Sequence, residues 1–146
     1  MPVELKGIDH SVQLTHIWVN AVEARLGRDN KPRAFRLLKA VLHAVRDWLP
    51  INEAADFGAQ LPTYLRGIFY EGWRPATTPV TARDKTAFIR RIGRQFHNDP
   101  LDDPDEAVAA VFDVIADRIT AGEIADVRQS LPAELRALWD VPVRAD

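Results

Sequence analysis

The chain has 146 residues, 47% of them hydrophobic, with no cysteine and a formal net charge of −2. That is enough for one domain with a core that needs no staple, and it excludes disulfides, thiolate metal sites and thiol nucleophiles. The charge balance argues against a generally basic nucleic-acid binder. No stretch approaches the roughly 18 apolar residues of a membrane span and the start, MPVELKGIDHSV, has no apolar signal core, so a reducing cytoplasm is the expected compartment.

Residues 10–26 put Leu14, Ile17, Trp18, Ala21 and Val22 on one face and stop at Gly27, which predicts a helix with a glycine cap. Residues 32–48 carry Ala34, Leu37, Leu38, Val41, Leu42 and Val45 at a 3.6 period, entered through Asn30, Lys31 and Pro32. Pro50 ends that helix. A short one is expected over about 52–60, and Pro62 opens another from Thr63 to Tyr70. Residues 74–80 read as a linker. Thr81 is the expected cap of a helix reaching about Phe96, and DDPDEAV supplies Asp103 as a cap, Pro104 in the first turn and Glu106 at its third position for a helix ending near Ile119. Glu123–Gln129 and Pro132–Trp139 complete the series. With no competing strand pattern, the expected fold is all-α, about eight helices.

Sliding the chain by seventy residues pairs Ala40, Val41, Asp47, Glu53, Ala55, Asp56, Leu61, Pro62, Leu65 and Arg66 with identical residues at 110, 111, 117, 123, 125, 126, 131, 132, 135 and 136. Chance would give about two such identities over this length. The chain therefore reads as a single domain, 1–146, made of two four-helix copies at about 9–73 and 81–141. A residue kept in both copies most economically serves folding, which both share. Asp47, Glu53, Asp56 and Arg66, with Asp117, Glu123, Asp126 and Arg136, are accordingly expected to be structural. Arg66 and Arg136 are expected to pair with carboxylates across the Leu-Pro turns.

The run AVLHAVRDWLPINEAADFGAQLPTYLRGIFYEGW, Ala40–Trp73, closely resembles the helical family catalogued as domain of unknown function 2267, through its RDWLP, AQLP and RGIFYEGW steps. The resemblance extends over nearly the whole chain. It implies an all-helical bacterial or archaeal protein and carries no activity, cofactor or site residue with it.

Chemistry is sparse. His10, His16, His43 and His97 form no HxxxH pair and no metal site is expected. Neither Ser11 nor Ser130 lies in a nucleophile elbow, and the glycines form no phosphate loop, so neither catalysis nor a cofactor is expected. The differences between the copies say more. Arg36, Lys39, His43 and Arg46 make a basic stripe where the second copy has Glu106, Ala109, Asp113 and Ala116. Arg83, Arg90 and Arg94, with Arg91 and His97, make another. Phe69, Tyr70, Glu71, Trp73 and Arg74 have the composition of an interface hot spot. Three readings follow: an interaction module that grips a protein partner or a second copy through an aromatic and charged groove near the junction of the copies, a nucleic-acid binder using the basic stripes, and a small-molecule or catalytic cleft lined by Glu53, Asp56, Arg66, Tyr70 and Glu71.

Overall fold

In the computed structural model, which describes residues 5–140, every regular element among the described residues is helical. The helices are α1 (Lys6–Leu26), α2 (Lys31–Trp48), α3 (Ile51–Ala59), α4 (Thr63–Tyr70), α5 (Lys85–Gly93), α6 (Pro104–Arg118), α7 (Ala121–Ser130) and α8 (Ala133–Arg136). Residues 94–96 extend α5, and 137–140 extend α8, as 3-10 turns. Residue 141, the end expected for the second copy, and the following segment lie outside the described residues.

The caps explain most boundaries. Gly27 takes the left-handed conformation (φ 64°) and closes α1. Asn30, Asp103 and Thr120 accept from the backbone N–H groups of Arg33, Glu106 and Glu123, satisfying donors that a helix start leaves free. Pro62 and Pro132 precede α4 and α8 with the same backbone angles, φ −55° and ψ 148°. Two boundaries differ from expectation. α1 begins at Lys6, a turn earlier than expected, because Ile8 alone in the added turn makes no apolar period to read. α5 begins at Lys85, because Asp84, not Thr81, accepts from the Ala87 N–H.

α2 is the hub, with Leu37, Leu38, Val41, Leu42 and Val45 fully buried. It packs against α1, α4, α5 and α6, while α1 also crosses to α6 and α3 packs on α7. One continuous core draws on residues from Trp18 to Leu138. Its aromatic part runs Trp48, Phe88, Phe112, Trp139, ending in a stacked pair with centroids 4.1 Å apart. No helix among the described residues is long and apolar enough to cross a membrane.

Candidate functional site

Asp47, near the end of α2, is buried and binds two arginines. Arg46 meets both its carboxylate oxygens at 2.8 and 3.1 Å, and Arg91 of α5 also donates to it. Arg46 further donates to the carbonyls of Phe69 (2.9 Å) and Glu71 (2.8 Å), which ties the chain after α4 to α2. The Arg91 guanidinium lies over Trp48, 5.2 Å from the ring centre. Asp47 therefore is a structural ion-pair residue, but its partners are Arg46 and Arg91, not Arg66.

Above this network opens a cleft of about 520 Å³ between α2, α5 and the Glu71–Gly72 turn. Arg36, Lys39, His43 and Arg46 come from α2, Arg91 and Gln95 from α5 and its extension. The basic stripe and the segment after α4, two separate features in the sequence, thus share one cavity. Four cations face two carboxylates, Asp47 and Glu71, which leaves a surplus of two positive charges. Lys39 pairs with Glu71 at 3.1 Å on the half-open rim. Arg36 is exposed and has no carboxylate partner among the described residues; its guanidinium stands over the Phe96 ring. Burial lowers the His43 pKa, aided by Arg46 and Lys39, and the imidazole Nε2 lies 2.7 Å from the Ile68 carbonyl. Burial thus favours the neutral imidazole there. Arg91, which the sequence groups with the second basic stripe, and Gln95, which no sequence signal marks, are brought here only by the packing of α5 on α2.

The aromatic segment lies only partly at the surface. Phe69 is fully buried against Phe57, with ring centres 5.4 Å apart, and Tyr70 and Trp73 are half-buried against the core. Tyr70 donates weakly to the Ala55 carbonyl (3.4 Å), and the Trp73 indole N–H donates to the Thr78 hydroxyl. A side chain on Gly58 would lie 2.8 Å from the Tyr70 ring, so the glycine is what lets Tyr70 rest on α3. Seventy residues on, the matching pair is Arg128 and Asp140, joined by a salt bridge of 2.9 Å. Glu71 and Arg74 are exposed.

Arg66 and Arg136 form no carboxylate pair among the described residues. Arg66 donates to the carbonyls of Gly58, Ala59 and Leu61, and Arg136 to that of Leu131. The last carbonyls of a helix lack partners, and a guanidinium returning from the next helix supplies them. Glu53 and Asp56 sit earlier on α3, on the side facing α7. There Glu53, Glu123 and Asp126 converge, with oxygens within 4.8 Å of one another, a spacing that suits a hard cation's ligands. The histidine-based expectation of no metal cluster overlooked this set, whose members are seventy residues apart. Asp117, in turn, is exposed and pairs with Arg25 (2.8 Å), which also holds Asp113 (2.6 Å).

In the Glu53–Glu123 contact, burial raises both pKa values, and Glu123, hydrogen-bonded to Glu53, is pushed up to about 7. A carboxyl whose folded pKa is raised stabilises the fold in its protonated form. That contribution is complete below the ordinary carboxylate range and is lost as pH rises through about 7. Urea midpoints should therefore fall between about pH 5 and pH 8 by more in the wild type than in Glu123→Gln, which stays neutral throughout. The comparison with the variant is needed because neutral His43 contributes the opposite slope. Equal slopes for the two proteins would show that the pair holds no proton.

The second basic stripe disperses. Arg83 donates to the Ser130 carbonyl (2.6 Å), while Arg90 and Arg94 are exposed outside the cleft. The exposed large apolar side chains lie elsewhere, at Leu5, Ile8, Val12, Ile17, Ile51 and Tyr64. A family model described as an uncharacterized conserved protein (DUF2267) matches residues 15–138. No curated protein matches the chain.

Proposed function

We propose that this chain, which belongs to the DUF2267 family, is a non-enzymatic binding module that receives an anionic group in the cleft between α2 and α5. The observation that carries the reading is the surplus of positive charge gathered in one cavity at the meeting of the two copies. Fixed guanidinium groups in a partly desolvated cleft bind anions better than the same groups on a flat surface, because water screens them less. Catalysis has less support. His43 spends Nε2 on a backbone carbonyl, and among the described residues no hydroxyl or thiol side chain lines the cleft. A protein partner gripped through Phe69 is not supported, since that ring is interior. Nucleic acid is a weaker occupant, because Arg46 is consumed internally and Arg83, Arg90 and Arg94 extend no continuous track from the cleft.

The duplication fits this assignment. The copies share the residues that fold them and differ at Arg36, Lys39, His43 and Arg46, all of which line the cleft. An NMR titration with inorganic phosphate and with citrate at low ionic strength tests the reading. Amide shifts should concentrate at residues 36–46, 71–72 and 91–95 and weaken with added salt. Absence of shifts with both anions, or shifts centred on Ile8, Val12 and Tyr64, would sink it.

A further inference from the structure

We infer that the occupant of this cleft is a small polar phosphomonoester, held as its dianion, with Glu71 acting as the resident competitor for Lys39. The inference rests on the anion-binding reading and adds the chemical class. The charge surplus is two, and a phosphomonoester carries about −1.5 to −2 at neutral pH. A single carboxylate would leave one cation unmatched. The two arginines with donors to spare are held by their ring contacts: Arg91 lies against Trp48 and Asp47, and Arg36 lies over Phe96. Such planar forks suit the several acceptor oxygens of a phosphoryl group.

The cleft is larger than phosphate alone requires. About 520 Å³ is the size of a small-molecule site, so a body attached to the phosphate fits as well. That body is polar. Among the described residues no aromatic side chain lines the cleft, and the nearby faces of Trp48 and Phe96 already carry guanidinium groups, which leaves no platform for a nucleobase. Gln95 and the Gly72 backbone line the cleft and suit hydroxyls instead. Glu71 is exposed on the rim and neutralises Lys39 at 3.1 Å. An incoming dianion takes over Lys39 and releases it.

Calorimetry at fixed low ionic strength separates the possibilities, with glucose 6-phosphate, glucose, succinate and adenosine monophosphate as probes. Glucose 6-phosphate should bind about tenfold or more tightly than succinate, glucose should not bind, and the nucleotide should show no advantage over the sugar phosphate. Glu71→Gln should tighten glucose 6-phosphate several-fold. Arg36→Ala with Lys39→Ala should weaken it about tenfold or more; both residues lie on the accessible part of α2, and an unchanged circular dichroism spectrum would verify the fold. Succinate binding as tightly as glucose 6-phosphate would refute the phosphomonoester class and leave the anion cleft standing. A marked preference for the nucleotide would refute the polar body. An unchanged affinity in Glu71→Gln would refute the competitor role, and no binding of any anion would refute both this inference and the reading beneath it.

Discussion

Asp47→Ala should lower the unfolding free energy by about 3–5 kcal/mol, while Asp117→Ala, the same change seventy residues on, should cost less than about 1 kcal/mol. The residues are identical and occupy matching places on α2 and α6. Their surroundings differ. The Asp47 side chain is 10% exposed and neutralises Arg46, itself 6% exposed, so truncation leaves a charged guanidinium in the interior with only carbonyls as partners. It also frees Arg91. The Asp117 side chain is 66% exposed, and Arg25 keeps Asp113 when Asp117 is removed. Urea unfolding of the two variants measures the contrast. Comparable losses would mean that Asp47 is no more enclosed than its counterpart.

Phe69→Ala should be similarly severe, at about 3–5 kcal/mol, against no more than about 0.5 kcal/mol for Arg74→Ala. Phe69 has no exposed surface and is packed between Phe57 and Tyr70, with ring centres at 5.4 and 5.1 Å. Deleting the ring removes its burial and leaves a cavity beside Gly58, where helices α3 and α4 meet. Arg74 is exposed at the start of the linker. Chemical denaturation again gives the readout. A Phe69→Ala protein of wild-type stability would return this segment to consideration as a binding surface.

The RGIFYEGW segment shows how composition misleads. Aromatics beside charges resemble an interface, but helical spacing sends Leu65 and Phe69 inward together, at i and i+4 on α4. Of that segment, Glu71 and Gly72 line the cleft. The arginines misled differently. The seventy-residue identities point Arg66 to acidic residues, whereas its partners are the carbonyls at and just after the end of α3, and such carbonyls are presented by every helix of any sequence. Backbone acceptors carry no sequence mark, so pairing charged letters overlooks them.

What the sequence alone determined was the local and the periodic. Thr63–Tyr70 was read to the residue because Pro62 presets its first turn, and Asn30, Asp103 and Gly27 sit where expected because a cap acts within three or four residues of itself. The buried face of α2 followed from its 3.6 period, and membership of the DUF2267 family followed from the order of the short motifs. Tertiary structure alone decided which charges meet. Arg91 reaches Asp47 across 44 residues, Glu53 meets Glu123 across the α3–α7 contact, and α5 closes the cleft over α2. Coulomb energies depend on separation and burial, and neither is set by distance along the chain, so identical carboxylates at matching positions end as a buried hub at Asp47 and a solvated surface partner at Asp117.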